Sequence, residues 1–207
     1  MLTENDVVTK AKNQKESGNT AGAIKTLDDY LRANPYSVRP RLLLAQYYEL
    51  SKKHELAMFH LEILIDLDPE NLDARKAYVT ILKQKSMYTK EAKEQFDFLV
   101  EHEPNNAALM NSYAIFAKLQ LTDNAKCEEL YKRAIEIEPK NSDYHLNYAI
   151  LLVNELKRYE DGRAELEKAI ELDPSNKRAA DALERLVKKK FNGDKPKKGL
   201  FTKIKLR

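Results

Sequence analysis

Proline stands at residues 35, 69, 104, 139 and 174, at intervals of 34, 35, 35 and 35 residues, and closes the segments LRANP, IDLDP, VEHEP, IEIEP and IELDP. Five of the seven prolines keep this register, and an Asn follows one or two residues after each of the last four. A fixed period of this size marks a stacked repeat array rather than a single globular core. Proline cannot extend a helix and disfavours helical geometry in the residue before it, so a helix is expected to end at each copy.

Counting back twelve residues from each proline gives Ala23, Ala57, Ala92, Cys127 and Gly162, all small enough for two helices to approach closely. Eight back stand Leu27, Leu61, Phe96, Tyr131 and Leu166, and four back Leu31, Ile65, Val100, Ile135 and Ile170. These offsets form one apolar helical face. Counting forward nine gives Leu44, Tyr78, Tyr113, Tyr148 and Leu183; ten gives Ala45, Val79, Ala114, Ala149 and Glu184; thirteen gives Tyr48, Leu82, Ala117, Leu152 and Val187. A second amphipathic helix follows from these. One unit is therefore helix, turn, helix, and it needs a neighbour to bury both faces.

This pattern resembles the tetratricopeptide repeat, most clearly in YAIFAKLQLTDNAKCEELYKRAIEIEP (Tyr113 to Pro139) and YAILLVNELKRYEDGRAELEKAIELDP (Tyr148 to Pro174). A weaker similarity to half-repeats of RNA-processing scaffolds rests on ELYKRAIEIEP and LNYAILL. The resemblance covers roughly residues 4 to 190. It implies an all-α fold: a right-handed α-solenoid of five helix pairs plus a C-terminal capping helix, about eleven helices of 12 to 17 residues. The departures are Lys10, where a large apolar residue is expected, and one extra residue in each of the last three copies, expected in the turn between helices. The domain expectation is an array over 1–191 and a basic tail over 192–207.

The net charge of +3 hides an asymmetry. Residues 188–207 carry nine Lys or Arg against Asp194 alone, a net +8, which leaves −5 on the remainder. In the tail, Lys195, Lys197, Lys198, Lys203, Lys205 and Arg207 interleave with Leu200, Phe201, Ile204 and Leu206. That composition suits contact with an anionic membrane or nucleic acid, an electrostatic alternative to protein binding. The alternation reads as a short strand, although Leu200, Phe201 and Ile204 would also share a helical face. The N-terminus MLTENDVVTKAK has neither a secretory apolar run nor the Arg-rich composition of a transit peptide, and the expected location is cytoplasmic. A single cysteine, Cys127, excludes an internal disulfide and sits in the row of small residues, where a packed thiol is expected.

No glycine-rich phosphate loop, HExxH, paired CxxC or GxSxG occurs, and His54, His60, His102 and His145 share no ligand spacing. Neither catalysis, a metal, a cofactor nor a small-molecule substrate is expected. The resemblance implies instead a protein-interaction scaffold whose first helices line a concave groove for a partner peptide or helix. The corresponding residues are Leu42, Leu43, Gln46, Lys76, Thr80, Asn111, Ile115, Leu119, Leu146, Asn147, Ile150 and Asn154. Ile115, Leu119, Leu146 and Ile150 are expected to make an apolar floor, with Asn111, Asn147 and Asn154 free to hydrogen-bond a bound backbone. The carboxylate clamp of chaperone-binding members is missing, because Thr80, Ser112 and Asp143 occupy positions it needs.

Overall fold

The computed structural model describes residues 2–191, and among these the regular structure is helical. Eleven α-helices run in order: α1 Glu4–Glu16, α2 Thr20–Ala33, α3 Val38–Leu50, α4 His54–Leu67, α5 Leu72–Leu82, α6 Thr89–His102, α7 Ala107–Phe116, α8 Asn124–Ile137, α9 Ser142–Asn154, α10 Tyr159–Leu172 and α11 Lys177–Lys190. Their number agrees with the repeat; their lengths, 10 to 14 residues, fall below the expected range at α5 and α7. The residues from 192 onward, including every tail cation from Lys195 to Arg207 and the alternating segment, lie outside the described residues.

The proline punctuation has a local cause. Two residues after each of the last four prolines, Asn71, Asn106, Asn141 and Asn176 cap α5, α7, α9 and α11 through their side chains, accepting from the backbone N–H of Ala74, Leu109, Asp143 and Ala179. Their own N–H groups donate to the carbonyls of Asp68, Glu103, Glu138 and Asp173, closing a tight turn around each proline. The first copy has Ser37 here, without a side-chain cap bond.

The other end of each first helix is set by a left-handed residue seventeen before the proline: Gly18 (φ 83°), Lys52 (60°), Thr122 (52°) and Lys157 (57°). Four of five copies thus stop the same way, and only the first uses glycine. In the two 34-residue-type turns the next N–H reaches back five residues, from Asn19 to Gln14 and from Lys53 to Tyr48. In the fourth and fifth copies it reaches back six, from Asp123 to Ala117 and from Arg158 to Leu152. The extra residue is therefore taken up in the last turn of the first helix, as a π-turn over Ala117–Leu121 in the fourth copy, rather than in the link between helices as expected. The third copy differs, passing through a 3₁₀ turn at Ser86–Tyr88.

The helices form two compact units, one up to Leu99 and one from Val100. In the first, α1 packs on α2 and α3, α3 on α4 and α5, and each second helix on the next first helix. In the second, α7 to α11 pack each on the next, and α9 meets α11. The small-residue row does what its size allows: Ala23, Ala57, Ala92 and Cys127 are fully buried. A Cβ on Gly162 would run into Val153 Cγ2, so α9 and α10 approach more closely than an alanine permits without movement of that valine. The Cys127 thiol lies against the Ala114 carbonyl, and burial pushes its pKa up to about 12, an unreactive state. Glu184 departs from its register, exposed on α11 where Ala45, Val79, Ala114 and Ala149 are buried.

A further repeated contact ties each proline turn to its helix pair. Six residues after the proline, Arg41, Arg75 and His145 donate to the carbonyls of Pro35, Pro69 and Pro139. Each also bonds a side chain on the following helix: Arg41 to His60 Nδ1 (3.2 Å), Arg75 to Gln95 (2.6 Å) and His145 to Glu165 (2.6 Å). Met110 takes this place in the fourth copy, and Arg133 reaches Pro104 instead, at 3.5 Å.

Candidate partner-binding face

The first helices carry the residues left for recognition, and the two units present different chemistry. In the first unit, α3 and α5 border a cleft of about 430 Å³. Gln46, Glu49, Asp73, Lys76 and Thr80 line it above Ala45, Leu61 and Ile81. Thr80 donates its hydroxyl to the Lys76 carbonyl at 2.8 Å, so this polar wall is partly satisfied within α5. Leu42 is half-buried. Leu43 is buried among the core side chains and supplies no surface, a correction to its expected place in the groove.

In the second unit, α9 and α11 border a larger cleft of about 640 Å³ over the middle of α10. Half-buried Ile150 and Val153 give its apolar floor, flanked by Ala182 and Tyr159. Five cations stand around it: Lys157 from the turn, and Arg178, Arg185, Lys189 and Lys190 from α11, with Asp181 the one carboxylate among its lining residues. Lys190 also lies over the Tyr159 ring, 4.4 Å from its centroid. The cleft exists because Gly162 draws α10 against α9 while α11 rests on Leu166 and Ile170 through Ala179, Leu183 and Leu186.

The expected floor is only partly present. Leu146 is fully buried beneath α11 with Ala179 and Leu183 and is removed from the surface. Its register neighbours Leu42, Lys76 and Asn111 are half-buried, and the fifth copy differs because α10 and α11 close over it. Ile115 and Leu119 are exposed, Leu119 at 67% on the π-turn. Asn111 and Asn147 bond each other, Asn147 Nδ2 donating to Asn111 Oδ1 at 2.9 Å, which links α7 to α9 and leaves each amide one group fewer for a ligand. Asn154 is exposed at the mouth of the cleft, and its carbonyl accepts from Lys157.

The cations of α11, a helix expected as a cap, stand beside the groove residues expected on α9. Their signal is in the sequence: Ala182, Arg185 and Lys189 fall eight, eleven and fifteen residues after Pro174, offsets shared by Leu43, Gln46, Thr80, Ile115, Leu119, Asn147, Ile150 and Asn154, with Arg178 one turn earlier at four. On α8, Glu128 gathers three donors, Lys132, the Tyr148 hydroxyl and Arg158, with Lys132 foremost in holding its carboxyl down at about 2. Among the described residues no group of His, Cys, Asp and Glu is arranged to hold a metal ion, and no helix is long and apolar enough to cross a membrane.

Helix pairs of this length, small residues at the crossing and a proline turn every 34 or 35 residues define a tetratricopeptide-repeat protein. Sequence profiles of that family match residues 8–71 and 118–186, well over half of the chain, which belongs to this family. Among solved structures, a MamA RS-1 double mutant is similar with a TM-score of 0.75 at 15% identity, over 82% of this chain and 93% of that one. YrrB, described as a TPR protein with an unusual peptide-binding site, gives 0.74 at 17% identity over 86% and 91%. MamA itself gives 0.73 at 17% identity over 79% and 94%. At these identities the likeness establishes the shared fold. No curated protein sequence matches the chain.

Proposed function

We propose that this chain is a protein-interaction scaffold and that the cleft between α9 and α11 holds a partner peptide carrying apolar and acidic side chains. Family membership supports the scaffold role, and the observation that carries the site is the pairing of an apolar floor, Ile150 and Val153, with a nearly all-cationic border. An apolar side chain gains by leaving water on that floor, at roughly 25 cal/mol per Å² buried. Carboxylates of the same peptide meet Arg178, Arg185 and Lys189 in charge-assisted hydrogen bonds, which favour Arg for its planar fork. The cleft of the first unit, bordered by charges of both signs, has no comparable preference.

Selection of a random peptide library on the full chain tests this reading. The expected result is enrichment of peptides with Asp or Glu within a few residues of a Leu, Ile or Phe. Their affinity should fall at least tenfold for Arg185→Glu with Lys189→Glu, both exposed, with helix content unchanged. A library that yields no binder, or binders insensitive to both charge reversals, overturns the site.

A further inference from the structure

The second helices turn their outer faces away from the neighbouring first helices, and one of them is unlike the rest. On α4, Leu56, Phe59, Ile63 and Leu67 fall within roughly 80° of arc at about 100° per residue. Leu56, Phe59 and Leu67 are 44%, 55% and 40% exposed, and Ile63 between them is half-buried. The same four offsets carry Gly22, Lys25, Asp29 and Ala33 on α2, Lys126, Glu129, Arg133 and Ile137 on α8, and Asp161, Ala164, Lys168 and Leu172 on α10. On α6 they carry Glu91, Glu94, Phe98 and His102, so no other copy has more than one large apolar residue there and nothing in the repeat calls for four. A solvated face has no use for a phenylalanine and three aliphatic side chains in line.

One edge of this stripe is acidic. Glu55, Glu62 and Asp66 lie along it, all exposed, and α4 contains no Lys or Arg; from α5 and the turn after it, the Tyr78 hydroxyl donates to Glu62 and Lys85 pairs with Glu55 at 2.6 Å. Two such faces laid antiparallel would bring these carboxylate edges together, so an antiparallel α4–α4 pairing is disfavoured. The complement is a segment both apolar and basic, and this chain carries one: residues 198–207, KGLFTKIKLR, with Lys198, Lys203, Lys205 and Arg207 among Leu200, Phe201, Ile204 and Leu206.

We propose that the outer face of α4 receives segment 198–207 of a second copy of this chain. The contact is head-to-tail: each copy offers one face and one segment. Association of this kind propagates to chains or rings instead of stopping at a symmetric dimer.

The test uses the full chain in two variants, one with Phe59→Ser and Leu67→Ser, which spoils the face, and one with Leu200→Ser and Ile204→Ser, which spoils the segment. The native chain should grow in mass with concentration in sedimentation equilibrium, and high salt should weaken the growth. Each variant alone should stay monomeric. Mixed, they retain one good face and one good segment between them, and should form a 1:1 dimer that grows no further. Asp66→Lys should weaken the association without touching an apolar residue or the Tyr78–Glu62 hydrogen bond, which separates lost docking from lost folding. A native chain monomeric at hundreds of micromolar overturns the proposal. Loss of association in the face variant but not the segment variant points to α4–α4 pairing and overturns it too. A segment that binds only anionic vesicles or oligonucleotides, with no self-association, does the same.

Discussion

His145 places both ring nitrogens against acceptors, Glu165 at 2.6 Å and the Pro139 carbonyl at 3.0 Å. A neutral imidazole owns a single N–H, so only the imidazolium satisfies both. The hydrogen bond to Glu165, aided by the Pro139 carbonyl, raises its pKa against the opposing effect of burial. A group raised in the folded state stabilises fully below its unfolded value, near 6.5, and loses that contribution as pH climbs through the folded value. His60 runs the other way: burial and Arg41 lower it, so stability is lost as pH falls below 6.5. The melting temperature of the native chain should therefore decline as pH rises above 6.5, a decline that His145→Gln removes, while the acid-side decline persists. Identical profiles for the two proteins would show that the imidazolium is not the folded form. The sequence shows His145 only as one of four histidines without ligand spacing and does not disclose its charge. That depends on Glu165, twenty residues on, a pairing that only the fold brings within reach.

Helix starts were legible because Asn and Pro each act through their own backbone geometry, at a fixed spacing. Helix ends were less so. Gly18 advertises a left-handed turn, but Lys52, Thr122 and Lys157 adopt it with ordinary side chains, driven by the packing on either side. A β-branched residue is the worst suited of these, since left-handed geometry costs an L-residue about 1–2 kcal/mol. Thr122→Gly should stabilise the chain by about 1 kcal/mol after the entropy of the added glycine is subtracted. Gly18→Ala should cost a similar amount, although nothing lies within 4 Å of the added Cβ, so its penalty is one of backbone alone. Chemical denaturation of both variants measures this. A destabilised Thr122→Gly would mean that the threonine hydroxyl, which donates to the Leu121 carbonyl, matters more than the strain.

At the scale of the molecule, period and core were readable from sequence because each copy repeats the same answer to the same packing problem. The recognition surface was read less well: Leu43 and Leu146 turned inward, and the cations of α11 entered the cleft. A one-residue step on a helix turns a side chain by about 100°, enough to exchange surface for core. In such arrays each helix answers mainly to its neighbours. Leu166→Ala, which empties a site shared by α9, α10 and α11, should cost about 2–5 kcal/mol. Hydrogen exchange should quicken across those three helices and stay unchanged in α1 to α3; uniform acceleration would show a single cooperative block. The constancy of the interval from left-handed residue to proline has a different consequence. It is seventeen residues in all four copies that use the turn, whereas variation in repeat length falls upstream, in the first helix. The stretch from turn to proline is thus an interchangeable cassette. A second helix can be rewritten, its outward face included, without shifting the phase of anything downstream, which is how a single helix such as α4 can carry a surface of its own inside an otherwise uniform array.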